Sequence, residues 1–320
     1  IKEEWYVALD TILVLNPQFV KNHFTKEKMV LTQDYNNTLI ALNTSGKTLW
    51  STNVNGKILG EINYIDAYKN SKYQALFNTA THLYLVDRNG ENVDGFPKEL
   101  PSATKLGHSL FEYSNNRNYR ICIVGEDNII YNLDKKGKKV KGWKYSKKAN
   151  RITQNPIHFI VNGKDFILNA TKNTTSQLLA RNGASRVTFK DAHEFTNKVQ
   201  INDKGELYAI TTEGELWLGN TSGRSKLIEI YELNNNSQIL FHKNHIYISN
   251  NNKLLILDGS YSQVNNITLD GAIISLKGFG NKLTISTKNS LYLMEDGLII
   301  EGFPIDTDGY FNISDIDNNG

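Results

Sequence analysis

The chain has 320 residues, 36 Lys and Arg against 33 Asp and Glu, and a formal net charge of +3. That length admits one large all-β domain or two ordinary ones, and so small a charge gives no global field to draw the molecule onto nucleic acid or an anionic membrane. The single cysteine, Cys122, excludes an intramolecular disulfide and a cysteine-based zinc cage, and no apolar run reaches the roughly 18 residues that a spanning helix needs.

The chain opens at Ile1 with no basic and apolar leader, which reads as a fragment or processed form with any signal or anchor upstream. "KEEW", Lys2 to Trp5, matches "KTLW", Lys47 to Trp50, and so reads as an outer strand with no inner strands before it. From there helical periodicity is almost absent, and short alternating apolar runs bounded by Asn, Asp and Gly take its place. "QDYNNTLIALNTSGKTLW" predicts two strands, a turn closed by Gly46 and an outer strand ending in Trp50. "QALFNTATHLYLVDRNG" repeats the unit and closes at Gly90, and "ICIVGEDNIIYNLDKKG" closes at Gly137 with Cys122 in a buried strand. A further turn closes at Gly183; "ELYAITTEGELWLGNTSG" then ends at Gly223, "HIYISNNNKLLILDG" at Gly259 and "KLTISTKNSLYLMEDG" at Gly297. The last stretch, "FNISDIDNNG" from Phe311, reads as an inner strand with none after it.

Each glycine suits a hairpin whose last turn residue sits at positive φ, where a Cβ would clash, and the Asp or Asn before it accepts hydrogen bonds from the turn's own backbone. The seven glycines recur at intervals of 36 to 47 residues, which is the period of propeller blades. The expectation is therefore a single all-β domain over 1–320, a β-propeller of four-stranded blades. Seven complete repeats plus one blade shared between the two termini make eight, with a few residues expected beyond Gly320 to finish it; a seven-blade ring is the competitor. Trp50, Phe96, Trp143 and Phe303 are expected to wedge against the next blade, with Pro97 and Pro304 ending their outer strands.

Candidate chemistry is sparse. "DIDNNG" fits the opening of a calcium loop, with Asp315, Asp317 and Asn319 as hard oxygen ligands at alternate positions; a plain Asn/Gly turn is the competing reading. The equivalent stretches "IDAYKN" at Ile65 and "EYSNNR" at Glu112 lack that carboxylate spacing. Eight lysines fall among the fourteen residues from Lys135 to Lys148, with Trp143 and Tyr145 interleaved. Such a patch suits an acidic partner, lipid phosphates or nucleic acid, although a charged, solvated strand edge that resists pairing explains it as well. His242 and His245 are close in "HKNH", and "DAHEF", Asp191 to Phe195, reads as a connection. No metalloprotease, nucleophile-elbow or phosphate-loop motif occurs, so neither catalytic residues nor a cofactor, calcium aside, are expected.

"ALNTSGKTLW", Ala41 to Trp50, resembles the tryptophan-docking repeat of quinoprotein-like propellers, one residue short and with Asn43 in place of an Asp. That resemblance would imply either a quinone-dependent dehydrogenase or a non-enzymatic scaffold of outer-membrane β-barrel assembly. The dehydrogenases need a catalytic Asp and calcium, and many need adjacent cysteines, a disulfide that one cysteine cannot form. Residues 30 to 145, notably "LYLVDRNGENVDGFP" and "NYRICIVGEDNIIYNLDKKGKKVKGW", look like the C-terminal propeller of large envelope proteins of Bacteroidota, and of the plug-type subunit of the type 9 secretion translocon. This resemblance implies a non-enzymatic periplasmic module that binds other envelope proteins, an outer-membrane β-barrel among them; on the solvated-edge reading of the lysine run, no nucleic acid is expected as a partner.

Overall fold

A computed structural model describes residues 7–8, 11–21, 25, 27–146, 151–172, 174–230 and 233–307. These contain no helix, and their strands form seven sheets, each built from segments consecutive in the chain. The first holds β1 (Leu13–Lys21), β2 (Lys28–Asp34), β3 (Thr38–Asn43) and β4 (Thr48–Asn53). The second holds β5 (Leu59–Ile65), β6 (Gln74–Asn78), β7 (His82–Val86) and the two-residue β8 (Lys98–Glu99). The third is β9 (Ser109–Phe111), β10 (Arg120–Val124) and β11 (Ile130–Asp134); the fourth is β12 (Ile157–Val161), β13 (Lys164–Asn169), β14 (Gln177–Leu179) and β15 (Ser185–Thr188). Then come β16 (Gln200–Ile201), β17 (Leu207–Ile210), β18 (Leu216–Gly219) and β19 (Ser225–Ile228), and β20 (Gln238–His242), β21 (His245–Asn250), β22 (Lys253–Leu257) and β23 (Gln263–Thr268). The seventh sheet is β24 (Ser275–Phe279), β25 (Lys282–Ser286), β26 (Ser290–Glu295), β27 (Leu298–Ile299) and β28 (Ile305–Asp306).

The described chain packs as two compact units, one of residues up to His158 with Leu179–Ala184, the other of Phe159–Leu178 and residues from Ser185 on. In both units the cores lie between successive sheets, and side-chain alternation explains how. In the first, Ala75 and Phe77 of β6 join a core with Leu31, Leu39 and Ala41, while Leu76 between them joins another with Ile121, Ile123 and Leu133. In the second, Ile246 and Ile248 of β21 face Ile210 and Leu216, and Tyr247 faces Leu283 and Ile285. A strand buried on both faces needs a continuous apolar run, whereas an outer strand does not: β6 is buried throughout and β23 almost wholly exposed. Truncating Phe77, which has no exposed surface, would cost about 3–5 kcal/mol.

Six of the seven turn glycines, Gly46, Gly90, Gly137, Gly183, Gly223 and Gly297, have positive φ, between 70° and 86°. Gly259 does not. Its turn runs Asp258, Gly259, Ser260, Tyr261, and it is Tyr261 that takes the left-handed conformation, at φ 66°, its N–H donating to Asp258 O as Gly90 N–H donates to Asp87 O. The glycine in that loop is two positions early. Gly297 closes a two-residue turn with Asp296 (φ 48°) between the paired Glu295 and Leu298, unlike the longer turns before it.

The Gly-aromatic segments interrupt the outer strands. Asn92 pairs with Val86, the chain then turns from Val93 to Phe96 with Gly95 at φ 79°, and pairing resumes in β8. β27 and β28 both pair with β26 around the same turn at Ile300–Phe303, and Lys139 pairs with Leu133 before Gly142 at φ 78°. Pro97 and Pro304 thus precede a resumed strand instead of ending one. The seven described sheets match the seven-blade alternative; the composite eighth rests on residues 2–5 and 311–320, outside the described residues.

Candidate functional site

The turn between β11 and Lys139 helps to line a basic concavity of the first unit. Asp134 opens it: its Oδ1 accepts from Lys136 N at 2.8 Å and Lys138 N at 3.0 Å, and its backbone oxygen accepts from Gly137 N. With the backbone so fixed, Lys135, Lys136 and Lys138 project from one rigid turn. Lys98, on β8 of the preceding sheet, packs its alkyl stem on Gly137, where a Cβ would fall 3.0 Å from Lys98 Cγ. Lys98, Lys135, Lys136 and Lys138 line a cleft of about 430 Å³ together with the apolar Leu85, Val93 and Phe96, and Asp94 is the one lining carboxylate. Long stems over apolar surface with their heads in water are the ordinary way to build such a lining.

Tyr68, 56 % exposed, also lines the cleft, and its loop is tightly held. Asp66 has no exposed surface; its carboxylate accepts from Asn70 N at 3.0 Å, Ser71 N at 2.8 Å and Arg117 Nη1 at 2.5 Å. Burial works against that charge, but the Ser71 and Asn70 N–H groups and the Arg117 guanidinium outweigh it and hold the Asp66 carboxyl below its ordinary range. Lys69 Nζ donates to Asn118 Oδ1 at 2.9 Å, Lys135 Nζ donates to Ala67 O, and Arg117 N donates to Glu112. Burial, followed by the charge of Lys69, holds the Lys135 ammonium below its usual range. Four non-glycine residues of these two loops, Lys69, Ser71, Asn115 and Arg117, sit at φ between 46° and 63°, a conformation that costs roughly 1–2 kcal/mol each and persists only where the surroundings over-determine it.

Two clefts in the second unit are smaller and of mixed charge. One, about 250 Å³, sets Arg224 and Lys226 against Glu206, whose Oε2 accepts from Asn202 Nδ2 at 2.6 Å and Tyr208 OH at 2.9 Å. The other, about 380 Å³, sets Lys243 and His245 against Asp296. Of these three clefts, the first unit's alone is lined by four lysines.

The lysine run therefore contributes Lys135, Lys136 and Lys138 to a cleft, while Lys139 lies with Nζ 5.0 Å from the Tyr131 ring centroid; Lys147 and Lys148 lie outside the described residues. Lys98, Tyr68 and the Asp66–Arg117 pair escaped sequence reasoning. In the structure Lys98 packs on the next sheet's turn glycine as Trp50 does on Gly90 and Trp143 on Gly183, each ring within 2.8 Å of where a Cβ would stand. Phe96, expected there, lines the cleft. His242 and His245 are directly paired across β20 and β21; burial, then Lys243, lowers the pKa of His242, and His245 Nδ1 lies 3.1 Å from Lys243 O. "DAHEF" is a connection, with Glu194 paired to Lys172 at 2.9 Å. Cys122 is buried, which pushes its thiol pKa up. No cluster of three or more metal-ligating side chains occurs among the described residues, and Asp315, Asp317 and Asn319 lie outside them.

No family model matches the chain, and no curated protein sequence matches it. Solved structures do. BamB from Moraxella catarrhalis is similar with a TM-score of 0.63 at 14% identity, over 93% of this chain and 92% of that one. The Dos1 propeller matches at TM-score 0.61 and 12% identity over 91% and 80% of the two chains. The fold is a β-propeller. BBS1N in complex with ARL6DN is a further match, TM-score 0.61 and 10% identity over 96% and 94%. At these identities the likeness extends to the fold alone. In propeller terms each sheet is a blade, and the basic cleft lies where the interrupted outer strand of the second blade meets the outer turn of the third.

Proposed function

We propose that this propeller is a non-enzymatic protein-interaction module of the periplasm, docking on an outer-membrane protein export machine of the type 9 secretion kind. The observation that carries an interaction role is the basic cleft, a preformed concavity with four lysines, an apolar surface and an exposed tyrosine on a rigid loop. Aromatic anchors inside a polar rim are the usual composition of a docking site, and complementary charge steers a partner to it. Two things support the reading further: the same fold occurs in BBS1N, which was solved in complex with ARL6DN, and residues 30 to 145 resemble envelope propellers of Bacteroidota. The compartment and the export machine rest on that resemblance.

The test is to tag the native full-length protein, solubilise the envelope gently and identify what accompanies it. An outer-membrane β-barrel of an export machine in stoichiometric yield is expected. A protein that elutes alone, carrying a stoichiometric small molecule, would overturn the reading.

A further inference from the structure

We propose that the cleft between the second and third blades takes an extended acidic segment of a partner protein, its carboxylates spaced along Lys98, Lys135, Lys136 and Lys138 and an apolar side chain set against Phe96 and Tyr68. This deepens the interaction-module reading and rests on it.

Charge complementarity sets the sign of the occupant. Four lysines line the cleft with a single carboxylate, Asp94, and although Lys135 Nζ spends one donor on Ala67 O, Lys98, Lys136 and Lys138 add to its charge; the two second-unit clefts described above pair basic with acidic groups. The form of the occupant follows from what the cleft lacks. A compact phosphate is bound by backbone N–H nests or bidentate guanidinium forks. Here the N–H groups of Lys136, Gly137 and Lys138 are all consumed by Asp134, and no arginine lines the site. What remains is a group of separate lysine charges beside an apolar surface of Leu85, Val93 and Phe96. That arrangement matches carboxylates spaced along an extended chain around an apolar side chain, and it matches a densely charged polyanion or a flat headgroup layer less well. The hydrogen bonds to Asp66 fix the backbone that carries Tyr68, which lowers the ordering cost of binding.

The experiment uses the full chain and fluorescence anisotropy. The probe is a labelled twelve-residue peptide alternating Glu and Thr around one central Phe, with its Gln-for-Glu counterpart, inorganic polyphosphate and phosphatidylglycerol vesicles alongside. The acidic peptide should bind, weaken with added salt, and lose ten-fold or more in affinity in Lys136→Glu/Lys138→Glu. Lys98→Gln should lose part of it, and the control reversal Lys164→Glu/Lys190→Glu, at exposed lysines of the second unit, should stay within two-fold of wild type. Wild-type protein that ignores the acidic peptide or holds its Gln counterpart as tightly, cleft variants that bind like wild type, or a stronger cleft-dependent grip on polyphosphate or vesicles would each overturn the proposal. A native partner retained by Lys136→Glu/Lys138→Glu overturns the cleft assignment and leaves the interaction-module reading in place. A wild-type chain that captures no partner yet binds the peptide through the cleft supports the assignment and sinks that reading alone.

Discussion

Gly90 is glycine for two separable reasons. Its φ of 86° disfavours any side chain, and a Cβ there would fall 2.7 Å from the Trp50 ring. Gly142 shares the first reason only: its φ is 78°, and nothing lies within 4 Å of where its Cβ would stand. Gly142→Ala should therefore cost about 1 kcal/mol, the ordinary left-handed penalty. Gly90→Ala adds displacement of a packed indole and should cost about 2–4 kcal/mol. Urea denaturation of both variants measures the gap, and equal losses would mean that the Trp50 contact contributes nothing. Tyr261 shows the same conformation tolerated without glycine, held by its core contacts and by Lys226 Nζ at 5.0 Å from its ring centroid.

Hairpin turns of one design recur because a side chain nucleates them. Asn43, Asp87, Asp134, Asn220 and Asp258 each accept from the N–H groups two and four residues on, over 2.8 to 3.3 Å. The fourth blade has Ala180 at that position and keeps the turn through backbone bonds, Gly183 N to Ala180 O and Ala180 N to Ala184 O, together with Asn182 Oδ1, which accepts from Ala184 N at 3.1 Å. Ala180→Asp should restore the missing acceptor and stabilise the protein by about 0.5–1 kcal/mol. A thermal midpoint that falls would show the half-buried site rejecting a carboxylate. These turns were legible in the sequence because their chemistry lies within five residues. The interrupted outer strands were not, since β8 and β28 are two residues each and acquire strand geometry only from β7 and β26. Gly259 misled for a related reason, the spacing from Asp258 deciding which residue turns left-handed.

Period and alternation carried the propeller fold because every repeat must bury both faces of its inner strands, a demand written into each apolar run. The cleft was illegible because Lys98 and the Lys135–Lys138 turn belong to different repeats, and the Asp66–Arg117 pair that steadies its rim spans 51 residues. The same long-range burial makes the stability of the first unit pH-dependent. His108 is buried; Asn78 uses its Nδ2 on Thr79 O and Leu106 O, so its Oδ1, 3.3 Å away, accepts from His108 Nδ1, and Nε2 has no partner among the described residues. Desolvation lowers the imidazole from 6.5 to about 4. Below pH 6.5 the unfolded chain takes up a proton that the folded one refuses, so stability falls as pH drops, by about 3 kcal/mol in all by pH 4. Asp66 acts in the next window: its lowered carboxyl pKa gives stability that is present above the unfolded carboxyl's pKa and lost as pH falls through the folded value. Urea titrations at pH 8, 6.5, 5 and 4 should show wild type losing stability steadily below 6.5, with His108→Gln, which cannot titrate, losing less than half as much over the same range. Parallel curves for the two proteins would mean that the imidazole is not held neutral in the core.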